Sequence, residues 1–126
     1  MYYALQKYYN KYNTILNLPN EFNQSLDDID LIPSLEEIHF GGFNSIFDQN
    51  LSNIKLPNDY VCFCFKKYSL ITINTLPICL TKLKLYSIEH PITNLPITLS
   101  ILYIAHEIMH KIDLIKLPFG CTIKGF

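Results

Sequence analysis

One recurring dipeptide, an apolar residue followed by proline, constrains the fold of this chain more than anything else in it. It occurs at Leu18-Pro19, Ile32-Pro33, Leu56-Pro57, Leu76-Pro77, Leu95-Pro96 and Leu117-Pro118, with steps of 14, 24, 20, 19 and 22 residues between the prolines. Apart from the first, these steps fall in or near the ~20–29-residue period of one class of repeat fold. The residues after each proline recur as well. Residues 76–85 (LPICLTKLKL) align without gaps on 95–104 (LPITLSILYI) and on 56–65 (LPNDYVCFCF), and 32–40 (IPSLEEIHF) joins them with one residue deleted. The common frame is LPxxΦxxΦxΦ, where Φ is large and apolar.

The closing ΦxΦ has the period-2 alternation of a short strand with one buried face. A proline ahead of it fixes a turn where no ladder partner is needed. The frame therefore predicts a mainly β chain: a short leucine-rich-repeat-like solenoid of about five coils. One coil cannot bury its own inward face, so stacked neighbours supply the core. Inward positions are Leu35, Ile38 and Phe40; Tyr60, Phe63 and Phe65; Leu80, Leu83 and Leu85; Leu99, Leu102 and Ile104. Outward strand positions are Glu37 and His39, Cys62 and Cys64, Lys82 and Lys84, and Ile101 and Tyr103.

At the N-terminus Leu5, Tyr8/Tyr9, Tyr12 and Ile15/Leu16 lie at helical spacing, which predicts an amphipathic helix over 2–16. The expected organisation is a helical cap at 1–17 and a repeat region at 18–126. At the other end, 117–126 begins a last coil. An uncapped final strand is an exposed edge, so the expected states are a monomer or a dimer formed through that end.

Between the prolines sits a second marker. Phe-Asn pairs occur at Phe22-Asn23 and Phe43-Asn44, and residues 40–46 read FGGFNSI after Ile32-Pro33. This stretch resembles the FNIP repeat, a leucine-rich-repeat-like family with the pattern LPxSLxxLxFGxxFNxxI. The resemblance covers 18–126, is specific around 22–57, and lacks the Phe-Asn pair in the coils that start at Leu56, Leu76 and Leu95. It implies a solenoid interaction module without catalytic residues or cofactor, of a kind typical of social amoebae and of large DNA viruses infecting amoebae.

Composition agrees with that source and narrows the partners. All 10 basic residues are Lys, there is no Arg or Trp, and Val occurs once, at Val61, a set an AT-rich genome encodes. Without Arg, no bidentate guanidinium clamp for carboxylate or phosphate exists in the chain. A net charge of −1 and a pI near 6.4 remove the electrostatic case for nucleic acid. Hydrophobic residues reach 49%, against disorder, yet no apolar run, Ile101–Ala105 among them, approaches the ~18 residues of a membrane span. Lys7 interrupts any signal-peptide core, and four cysteines in such a chain are expected to stay reduced. The expectation is a cytoplasmic protein, in the host cytoplasm if viral.

Two motifs suggest chemistry. His106-Glu107-Ile108-Met109-His110 matches HExxH, which on an α-helix places two His on one face for Zn²⁺ and a Glu as general base. Against it, the motif falls on the return segment between Ile104 and Leu117, and no further His or Glu follows to supply a third ligand. The plain reading is a chance match on that return segment, and incidental metal binding by His106 and His110 is favoured over catalysis. Cys62 and Cys64, two apart on one strand with Lys82 and Lys84 on the next coil, form a candidate reactive or metal-binding pair. The bland reading is two small residues on a weakly polar face.

The outward strand positions remain the principal candidate site, because solenoids bind partners on platforms built from successive coils. Glu37, His39, Cys62, Cys64, Lys82, Lys84, Ile101 and Tyr103 form the expected interaction face, with Tyr103 as an anchor. The predicted function is non-catalytic binding of a protein partner, from the host cell if the chain is viral. The alternatives are a zinc-dependent hydrolase using His106, Glu107 and His110, and a decayed repeat fragment with no partner of its own.

Overall fold

The structure, a computed structural model, describes residues 2–126. Six four-residue strands form one all-parallel sheet in chain order: β1 (Ile15–Leu18), β2 (Glu37–Phe40), β3 (Cys62–Phe65), β4 (Lys82–Leu85), β5 (Ile101–Ile104) and β6 (Thr122–Gly125). Successive strands begin 22, 25, 20, 19 and 21 residues apart. The remaining elements are short: 3-10 helices at Tyr2–Tyr8 and His106–Leu114, and a single turn of α-helix, α1 (Leu70–Ile73). The chain is mainly β.

Alternate residues of β1 to β5 form two buried rows across the sheet. Leu16, Ile38, Phe63, Leu83 and Leu102 form one; Leu18, Phe40, Phe65, Leu85 and Ile104 form the other. Their chemistry changes along the sheet. Around β2 and β3 the core is aromatic, with the Phe40 ring stacked on Phe65 at 4.5 Å and set edge-on to Phe63 at 5.1 Å, and with Phe47 tilted against Phe40 at 5.0 Å. Around β4 and β5 it is aliphatic, built from Leu80, Ile88, Ile92, Leu95 and Leu99 with the strand residues.

The turns before β4, β5 and β6 are built on the proline carbonyl. The carbonyls of Pro77, Pro96 and Pro118 each accept the amide three residues on, from Leu80, Leu99 and Cys121, and Ile32 does the same for Leu35. Side chains on neighbouring segments then tie one turn to the next: Ser34 Oγ donates to Asn13 O, Thr81 Oγ1 to Asp59 O, Ser87 Oγ to Lys66 O and Asn94 Nδ2 to Asn74 O, all at 2.6–2.9 Å and 20–22 residues apart. Two buried tyrosines complete the pattern, since Tyr9 Oη accepts from Ile32 N at 3.1 Å and Tyr68 Oη from Glu89 N at 3.2 Å.

Three sequence expectations are corrected. Residues 2–16 do not form one helix: the 3-10 segment ends at Tyr8, and β1 begins at Ile15. Asn10 Oδ1 accepts the amides of Thr14 and Ile15, Asn13 takes φ 57°, and the reversed chain bridges Tyr9 to Leu16. Leu18-Pro19 consequently comes after a strand, whereas the other apolar-proline pairs precede one, which explains the short first step of 14 residues.

Tyr60 is not inward; it is 71% exposed and Val61 is buried instead. The cause is Asn58, whose Oδ1 accepts the Tyr60 amide at 2.8 Å while its Nδ2 donates to Leu35 O at 2.9 Å and to Pro33 O at 3.1 Å. This Asx turn replaces the proline-carbonyl turn of the other segments and rotates the tyrosine outward.

The two Phe-Asn pairs are not structural equivalents. Phe22 is buried and stacks on Phe47 at 6.2 Å, whereas Phe43 is 61% exposed. Asn23 Oδ1 accepts from Asp48 N at 2.9 Å, so Phe47-Asp48 lies opposite Phe22-Asn23.

Candidate functional site

Parallel register places the outward residues in two straight rows. Ile15, Glu37, Cys62, Lys82, Ile101 and Thr122 form one; Asn17, His39, Cys64, Lys84, Tyr103 and Lys124 form the other. All eight residues of the predicted face therefore share one side of the sheet, with neighbouring strands about 4.8 Å apart.

Around the first row the face dips into a groove of about 640 Å³, lined by Glu36, Glu37, Asn58, Tyr60, Cys62, Lys82, Lys84 and Tyr103 together with the Pro33–Leu35 turn. Two aromatic rings stand in it, each with a lysine over its face: Lys82 Nζ is 5.8 Å from the Tyr60 centroid and Lys84 Nζ 5.6 Å from that of Tyr103. Lys84 Nζ also lies 4.9 Å from the Phe126 ring. Such contacts contribute about 0.5–1 kcal/mol each at exposed positions and hold flexible ammonium groups in place. Carboxylates mark the β2 side and ammonium groups the β4 side, so the groove is polarised across the strands.

Cys62 and Cys64 lie on the outward side, as the frame predicts, but both are buried. Cys64 is 1% exposed, because its short side chain lies between longer neighbours, His39 on β2 and Lys84 on β4. Cys64 Sγ lies 3.8 Å from Glu37 Oε1, and His39 Nε2 lies 2.7 Å from the same oxygen. The Cys62 thiol is drawn below its usual pKa chiefly by its hydrogen bond with Cys64, aided by Lys84 and Lys82 and opposed by burial. The same bond pushes Cys64 upward, with burial and the Cys62 and Glu37 charges adding to the shift. Cys79 lies exposed in a turn and Cys121 is half-buried; both are free.

The HExxH residues are arranged differently from a zinc protease site. His106–Leu114 is a 3-10 helix, in which residues three apart eclipse and those four apart diverge by about 120°. His106 and His110 thus do not share a face, and His106, Glu107 and His110 are not among the metal-capable clusters of the described residues. His106 has a packing role instead: its amide donates to Phe126 O at 2.8 Å, and its ring lies against Gly125, where a Cβ would meet Cε1 at 3.0 Å.

Sequence reasoning missed two features of the surface. The repeat frame alone places Tyr60 inward, and only recognition of Asn58 as a turn-forming residue signals otherwise. Ile78, Ile97 and Phe119, each directly after the proline of its frame, are strongly exposed and form a recurring apolar position at the turns. Its signal is the apolar residue in the third place of LPI, LPI and LPF. Among the described residues no helix is long and apolar enough to cross a membrane. Comparisons with protein-family models, with curated proteins and with solved structures found no match to the chain.

Proposed function

We propose that the chain is a short leucine-rich-repeat-like solenoid, similar to the FNIP repeats, that binds a protein partner without catalysis through the outer face of its strands. In this reading each strand belongs to one coil, giving six rather than the five of the sequence frame. The observation that supports the reading best is the groove of about 640 Å³ centred on the Glu37–Cys62–Lys82 row and walled by Tyr60 and Tyr103. Aromatic anchors beside cations suit an extended segment that carries carboxylates next to apolar or aromatic side chains. Only lysines supply the positive charge, so recognition rests on point charges rather than bidentate pairing. The hydrolase alternative has no comparable support, because its two histidines diverge on a 3-10 helix.

Selection of random displayed peptides on the purified protein tests this reading. We expect enrichment of acidic peptides with an aromatic or large apolar residue. Their affinity should fall at least about 10-fold, or 1.4 kcal/mol, for a folded Lys82→Glu/Lys84→Glu/Tyr103→Ala variant. No enrichment, or equal binding by the variant, overturns it.

A further inference from the structure

Glu37 and His39 on β2 and Cys62 and Cys64 on β3 occupy the four corners of one patch of the outer face. Register sets Glu37 beside Cys62 and His39 beside Cys64, and alternation sends all four side chains to the same side. Three of their ligating atoms converge: one each from Glu37, His39 and Cys64 lie within 4.8 Å of one another. A tetrahedral Zn²⁺ with bonds of ~2.0–2.1 Å to N and O and ~2.3 Å to S separates its ligand atoms by about 3.3–3.6 Å. The Cys64 Sγ to Glu37 Oε1 distance of 3.8 Å is near that range, and the 2.7 Å between His39 Nε2 and Glu37 Oε1 must open by about half an ångström.

We infer that Glu37, His39 and Cys64 form a binding site for a borderline-soft divalent cation of the Zn²⁺ type. The mixed O, N and S donor set disfavours Ca²⁺ and Mg²⁺, which take oxygen ligands. On binding, the Cys64 thiol gives its proton to water and its sulfur lone pair to the metal. The hydrogen bond between His39 Nε2 and Glu37 breaks: the imidazole passes to its Nδ1–H tautomer, its Nε2 proton leaving to water and Nδ1 taking one from water, and the freed Nε2 lone pair and a Glu37 oxygen turn to the ion. Glu37 carboxylate and Cys64 thiolate together neutralise the 2+ charge, so the nearby Lys84 faces no net positive centre. The side chains of His39 and Glu37 are 26% and 35% exposed, which leaves the ion an entry and a fourth position for water. The ion would clamp β2 to β3, and this site stands whether or not the face binds a partner.

Titration of the chelator-treated protein with Co²⁺, followed by displacement with Zn²⁺, tests the inference. The expected result is one Co²⁺ per chain, with tetrahedral ligand-field bands and a thiolate-to-cobalt charge-transfer band. Cys64→Ser should abolish the charge-transfer band. His39→Ala, a change at a partly exposed position that keeps the fold, should weaken Co²⁺ binding by more than about 100-fold, beyond the usual cost of losing an outer-shell partner. A His106→Ala/His110→Ala variant should bind as the unaltered protein does. Absence of Co²⁺ binding, binding unchanged in His39→Ala, or binding lost with His106 and His110 would each overturn the assignment.

Discussion

Leu83→Asp is expected to leave the chain unfolded, while Lys82→Asp, one residue earlier on the same strand, folds normally. Leu83 is fully buried between Phe63 on β3 and Leu102 on β5. Its replacement loses about 1.5–3 kcal/mol of apolar burial. It also forces a carboxyl group into a site with no partner, either as a buried charge or as a neutral acid without a hydrogen bond, at several kcal/mol more. A domain of this size has about 5–15 kcal/mol to lose, and a strand in the middle of a stack of six carries the neighbours on both sides. Lys82 faces the other way, and surface substitutions there stay within about ±0.5 kcal/mol. Circular dichroism and urea denaturation of the two variants decide the matter. Equal tolerance of both would show that the inward and outward frame is wrong.

Phe40→Ala is expected to be the most costly simple truncation, at about 3–5 kcal/mol. Phe40 touches three other rings, those of Phe47, Phe63 and Phe65, so its removal opens a cavity that three rigid side chains cannot jointly fill. The midpoint of urea unfolding should fall sharply with an unchanged slope, since the surface exposed on unfolding is nearly the same. The corresponding change in the aliphatic half, Ile104→Ala, should cost less, about 2–5 kcal/mol, because branched side chains collapse more readily into the gap. An effect of Phe40→Ala below about 1 kcal/mol would contradict the aromatic core around β2 and β3.

The strands of this protein are legible from sequence because the ΦxΦ alternation after each proline is simple. Once the segments are aligned without gaps, the alignment itself predicts the register that places Cys62 beside Lys82 and Lys82 beside Ile101. β1 is not legible in the same way. Leu16 and Leu18 alternate as a strand, but Leu16 also fits a helical period with Leu5, Tyr9 and Tyr12. Only the turn at Asn10 and Asn13, a matter of side-chain hydrogen bonds, decides between the two. The exposed Tyr60 has the same origin, in the capture of its amide by Asn58.

At the candidate site the residues and their common face follow from the frame, but their depth does not. Whether Cys64 is open or covered depends on the length of its cross-strand neighbours. The approach of Glu37, His39 and Cys64 to within 4.8 Å depends on rotamers that periodicity does not specify. The HExxH match shows the converse: the pattern is present, but the helix type beneath it separates the two histidines.

Backbone amide shifts followed by NMR during titration with a selected acidic peptide locate the binding surface, expected on the outer strand face. The largest changes should run along both outward rows, at Glu37, Cys62, Lys82, Lys84 and Tyr103, and at Tyr60 beside them. Changes concentrated instead in His106–Leu114, or at the exposed turn residues Ile78, Ile97 and Phe119, would contradict it.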